Sequence, residues 1–157
     1  MRVKILEASI CGLQKEGLRF SVDTIAKKLK ISKKTVYKFF PSKEDLAIAV
    51  YEKFYDDIIP KIDNALSEKN EGQFIEILNL YYRSYCMIRE DLFNKFALNG
   101  SIRELALERH NEIRNKFQNA LCSDEKEITV MIVNSVFEKL NGKPLTLKIA
   151  KKLECLQ

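Results

Sequence analysis

The chain has 157 residues, 46% of them hydrophobic and 31% charged, values that allow a real core and exclude a disordered, collagenous or fibrous protein. The net charge of +5 is unevenly placed: residues 1–50 hold eleven of the 27 lysines and arginines and five of the 22 acidic residues, a local charge of +6, and the rest carries −1. A basic head on a near-neutral body suits a module that meets a polyanion; a lysine-rich solvated face is the plainer alternative.

Apolar residues recur at helical spacing and strict alternation is absent, so the fold class is all-α with eight or nine helices and short joins. A first helix is predicted from about Arg2 to Glu16, closed by Gly17. Its apolar residues Ile5, Leu6, Ile10 and Leu13 are interrupted by polar ones, unlike a signal peptide. Ser21 caps a short second helix, with Asp23 in the first turn where a negative charge suits the helix dipole. Val22, Ile25, Ala26 and Leu29 form its apolar side, and Lys27, Lys28 and Lys30 the other. After Lys30-Ile31-Ser32 a third helix covers about Lys33 to Phe39 and ends at Pro41. Ser42 caps a fourth that reaches about Ile59, bends at Pro60 and continues to Leu66.

Asn70-Glu71-Gly72 precedes a helix from about Gln73 to Ile88, and Asp91 to Leu98 reads as a shorter piece. Ser101 is expected to cap a helix to about Leu121, and Ser123-Asp124 another to Leu140, closed by Asn141-Gly142. The last helix is expected over Leu145 to Leu156. No apolar run is long enough to span a bilayer, so no membrane partner is expected.

Two short helices joined by a tight turn, the second rich in Lys, Thr and Tyr, fit a helix-turn-helix whose second helix enters the major groove. Ala26 is small where the helices cross, Ile31 plugs the turn, and Val36 and Phe40 anchor the recognition helix. That leaves Lys33, Lys34, Thr35, Tyr37 and Lys38 outward, able to donate to phosphate oxygens or reach base edges. Lys43, at the start of the fourth helix, can clamp a neighbouring phosphate.

The run Ile5-Leu6-Glu7-Ala8, Gly17, Ser21-x-x-x-Ile25-Ala26, Ile31 through Phe40, and Ser42-Lys43-Glu44-Asp45-Leu46 resembles the N-terminal domain of the TetR family of repressors. The resemblance is continuous over about residues 3 to 50. It implies a DNA-binding domain over 1–45 and a helical effector-binding and dimerisation domain over 46–157. It implies phosphate contacts at Thr35, Tyr37 and Lys43, with Lys33 and Lys34 nearest the bases, Lys38 over the backbone, and Ser21 completing the DNA-facing set. Lys30 stands where the family usually has Gly, which forces a left-handed residue with a side chain. Gly12 replaces a usual large apolar residue, Lys34 stands where Gly or Ala is common, and the body is shorter than usual.

The resemblance also implies a ligand cavity in the body and a dimer built from the last two helices. Candidates for the pocket are Tyr51, Phe54, Tyr55, Phe74, Leu78, Tyr81, Tyr82, Tyr85, Phe96, His110 and Phe117, a lining suited to an unknown apolar or aromatic small-molecule effector. Rings at this spacing are also what an ordinary helical core provides. Candidates for the homodimer surface are Ile128, Met131, Ile132, Val136, Leu145, Ile149 and Leu153, because the segment from Ile128 to Phe137 is apolar on more than one side.

Cys11, Cys86, Cys122 and Cys155 are far apart and form no metal-ligand spacing, and His110 stands alone, so neither a metal nor another cofactor is expected. No nucleophile-base pair or phosphate-cradling loop points to an enzyme. The reading is a bacterial cytoplasmic, nucleoid-associated regulator that binds a double-stranded operator, most simply a ligand-responsive dimeric repressor. The alternative is a constitutive architectural or partner-binding helical protein that uses the same head without an effector.

Overall fold

The structure, a computed structural model, describes residues 1–16, 21–68, 70–89, 100–122 and 124–156. Among these residues it is entirely helical: α1 (Arg2–Glu16), α2 (Val22–Leu29), α3 (Lys33–Phe39), α4 (Lys43–Ser67), α5 (Gln73–Met87), α6 (Gly100–Ala120), α7 (Lys126–Leu140) and α8 (Leu147–Glu154). The expected closure at Gly17 and the short piece over 91–98 lie outside the described residues. None of the described helices is long and apolar enough to cross a membrane.

The starts of α2, α3 and α4 are set by three serines. Ser21 accepts from the Thr24 amide, Ser32 from the Thr35 amide at 3.0 Å, and Ser42 from the Asp45 amide at 3.0 Å. At α4 the bond is reciprocal, since the Asp45 carboxylate accepts from the Ser42 amide at 3.0 Å and from its hydroxyl at 2.6 Å. This capping box satisfies donors that the first turn leaves open. Between α2 and α3, Lys30 takes the left-handed conformation at φ 54°, and the Lys30 and Ile31 amides return to the carbonyls of Lys27 and Ala26. That is the Schellman closure, usually made by glycine. Asn141, at φ 49°, closes α7 in the same conformation and is followed by Gly142 at φ 79°.

Several expected boundaries shift. The fourth helix is one continuous element through Pro60 to Ser67. Ser101 lies inside α6, which already includes Gly100, and so does not cap it. α7 begins at Lys126 after Glu125, whose side chain makes no capping bond. The last helix is shorter than expected because Thr146, in extended conformation, caps it and leaves Leu145 in the preceding turn.

The described residues form two compact units, residues 1–56 with 87–107, and 57–86 with 108–157. In the first, Ile5, Leu6 and Leu13 of α1, Val22, Ile25 and Ala26 of α2, Val36 of α3, Phe40 and Val50 are buried. Each large side chain here contributes about 1.5–3 kcal/mol on leaving water. Ile31, expected to plug the turn, is half-buried. The same core includes Tyr51 and Tyr55, whose hydroxyls donate to the backbone carbonyls of Met87 and Ala106 at 2.9 and 3.2 Å. In the second unit, Tyr81 packs against Phe117 and Phe137, with ring centroids 4.7 and 5.3 Å away. Its hydroxyl donates to Asn134 at 2.6 Å.

Candidate nucleic-acid interface

Ala26, Val36 and Phe40 are buried beneath the helix-turn-helix, and this fixes which side of α3 is left for solvent. Lys33, Lys34, Tyr37 and Lys38 are exposed and Thr35 is half-buried, so one short helix presents three ammonium groups, a phenol and a hydroxyl. The Thr35 hydroxyl lies 2.8 Å from the Ser32 hydroxyl, which orients it at the first turn. Lys43 is half-buried at the start of α4, and burial lowers its pKa below the usual lysine value. The Ser21 hydroxyl is occupied as the cap of α2.

Three features of this surface were not legible from residue spacing. Lys33 Nζ is 3.1 Å from Asp23 Oδ2, an ion pair between α3 and α2. The hydrogen bond and charge of Asp23 raise the Lys33 pKa. Phe39 is 40% exposed, an apolar ring on a polar helix. Arg2 of α1 lies over the Phe40 ring, 5.0 Å from its centroid, where a cation is attracted by the ring face.

The pocket candidates fall into the two units. Tyr51, Phe54 and Tyr55 belong to the core of the first, where Phe54 and Tyr55 meet edge to face at 5.1 Å. Leu78, Tyr81, Tyr82, His110 and Phe117 are buried in the second, and Phe74 and Tyr85 are half-buried there. Phe96 lies outside the described residues. The rings of the second unit pack on one another, Tyr82 and Tyr85 against Phe137 at 4.7 and 5.4 Å. A cleft of about 190 Å³ is lined by Leu66, Gln73, Phe74, Ile77, Phe117 and Ala120. His110 is buried, its Nδ1 2.9 Å from the Ser84 hydroxyl. Burial, helped by the nearby Arg114 charge, pushes its pKa down to about 4.

On α7, Ile128, Met131 and Ile132 are exposed, Met131 by 67%, and Val136 is half-buried. Leu145 and Ile149 are half-buried. Leu153 is buried within the subunit, so its side chain is already covered. Leu147, 60% exposed at the start of α8, is an apolar residue that helical spacing alone did not single out.

Residues 5–50 match the model of a family described as bacterial regulatory proteins, tetR family. A comparison with curated protein sequences gives no match. Among solved structures the chain is similar to a transcriptional regulator of the TerR/AcrR family from Aquifex aeolicus, at 23% identity and a TM-score of 0.66 over 99% of this chain and 96% of that one. It is also similar to a TetR transcriptional regulator from Streptomyces coelicolor, at 17% identity and a TM-score of 0.59 over 99% and 95%. The fatty acid degradation regulator of Bacillus halodurans gives 16% identity and a TM-score of 0.59 over 99% and 97%. The shared fold therefore runs nearly end to end.

Proposed function

We propose, from the premise that this chain is a TetR-family regulator in its DNA-binding domain and in its fold, that it acts as a homodimeric repressor whose grip on an operator responds to a small-molecule effector. The observation that carries the DNA-binding part is the exposure of Lys34, Tyr37 and Lys38, with Thr35 half-buried among them, on a recognition helix anchored by Val36 and Phe40. Tyr37, Thr35 and Lys43 hold phosphates, Lys34 lies nearest base edges at the helix start, and Lys38 lies over the backbone. Residues 1–45 serve as the DNA-binding part and 46–157 as the effector-binding and dimerisation part. An effector acts by binding one arrangement of the body better than another, which changes the spacing of two recognition helices across adjacent major grooves.

One observation favours a second reading, a constitutive DNA-binding protein without an effector. Among the described residues of the second unit, Phe117 packs against Phe74 and Tyr81, with ring centroids 5.9 and 4.7 Å away, as rings of an ordinary helical core do.

The test is binding to a labelled duplex from immediately upstream of the protein's own gene against a scrambled competitor, for wild type and Tyr37→Ala/Lys43→Ala. Selective binding lost in the double variant is the expected result. Equal binding to both duplexes favours the second reading, and no binding to either removes the DNA-binding reading. Titrating candidate effectors into the operator complex separates the two readings further, because only the first lets a tight-binding ligand move operator affinity.

A further inference from the structure

The ion pair between Asp23 and Lys33 joins the second residue of α2 to the first residue of α3, across the turn closed by Lys30. Both side chains are about half exposed, on the same head from which Lys34, Tyr37 and Lys38 emerge. An exposed pair of this kind contributes little to folding, and α2 already has its cap in Ser21. Its consequence for a polyanion is larger. Sequence-independent DNA affinity grows with each phosphate that a lysine neutralises, because each releases a condensed counter-ion. A lysine whose partner is a carboxylate of its own protein contributes no such release while the pair is closed. The aspartate also places a negative charge beside the incoming phosphates.

We propose that Asp23 sets the sequence-independent affinity of this head: it holds Lys33 in an ion pair and keeps it from acting as a phosphate contact, which lowers affinity for DNA of any sequence. The proposal rests on the DNA-binding reading above. Lys34 is left as the lysine of the first turn that meets DNA, and the phosphate term falls alike for operator and bulk DNA.

The test uses the full chain and a random-sequence duplex, with affinity followed against salt concentration for wild type, Asp23→Asn and Asp23→Asn/Lys33→Gln. Asp23→Asn is expected to bind more tightly, with the slope of log K against log salt steeper by about 0.9 per head, one added phosphate contact. The double variant is expected to return to the wild-type slope. Asp23→Asn with wild-type slope and affinity overturns the proposal. So does a double variant shallower than wild type by about 0.9 per head, because Lys33 then touches phosphate in the native protein. Circular dichroism reports folding of each variant, and Asp23→Gln serves the same comparison if Asn unfolds the head. Wild type that fails to bind the duplex even at low salt removes the DNA-binding reading, and the proposal with it.

Discussion

The imidazole of His110 stacks on the ring of Tyr81, centroids 5.5 Å apart and 17° from parallel, inside a core that also buries Ser84. Protonation would place a charge among rings and beside Arg114, so the neutral form is favoured and the pKa falls from 6.5 to about 4. The unfolded chain therefore takes up the proton first as pH falls. Stability is full above about pH 6.5 and is lost on acidification until the folded protein titrates near pH 4. Between pH 7 and 5 the loss from this one group is about 2 kcal/mol. Urea unfolding across that range is expected to give a pH slope that His110→Gln reduces by this amount. An unchanged slope in the variant would place the titration elsewhere.

Lys30 occupies the left-handed conformation with a full side chain, at φ 54°. The β-carbon in that region raises the energy by about 1 kcal/mol relative to glycine. Lys30→Gly is expected to raise the melting temperature by roughly 2–4 °C, whereas Lys30→Ala, which keeps the β-carbon, gains nothing. A thermal melt of both variants checks this; equal effects of Gly and Ala would mean that the turn is not strained.

The starts of α2 and α4 were legible because their signals are local. Ser21 and Ser42 cap within three residues, and the apolar period places Ile25, Ala26, Val36 and Phe40 on the core side. Ser101 misleads because a cap depends on the backbone conformation of the residue itself, and Ser101 lies within α6. The aromatic residues were visible as candidates, yet nothing in i, i+4 spacing tells that Tyr81 meets Phe117 and Phe137 from other helices. The Asp23–Lys33 pair was hidden for the same reason, since its partners lie ten residues apart on different helices. Spacing reveals which face a residue occupies, and tertiary packing decides what that face meets.

Ser32 joins stability to the proposed DNA surface. Its hydroxyl oxygen accepts from the Thr35 amide at 3.0 Å and lies 2.8 Å from the Thr35 hydroxyl. Ser32→Ala removes the cap and is expected to lower stability by about 1 kcal/mol. Ser32→Asp keeps a cap oxygen, so its melting temperature stays near wild type, but it places a negative charge at the start of the recognition helix and weakens DNA binding. Melts and duplex-binding curves of the two variants should therefore separate. If the Ser32→Asp variant binds DNA as tightly as wild type, the start of α3 does not face phosphate.

Met131 and Ile132 stand one turn after Ile128 on α7, and the three leave an apolar stripe open to solvent, with Leu147 exposed on α8. Burying that stripe against its copy about a twofold axis brings each apolar side chain out of water at roughly 25 cal/mol per Å². Met131→Glu puts a charge at the most exposed point of the stripe and is expected to shift the protein to monomer in sedimentation velocity while its melting curve changes little at the level of the subunit. Leu153→Ala behaves in the opposite way. Its side chain is covered within the subunit, so the variant is expected to lose about 2–5 kcal/mol of stability to the cavity it leaves, with no selective effect on assembly. A monomeric Met131→Glu that also loses high-affinity binding to a two-half-site operator ties the stripe to DNA recognition. A Met131→Glu protein that sediments as wild type removes this stripe as the proposed dimer surface.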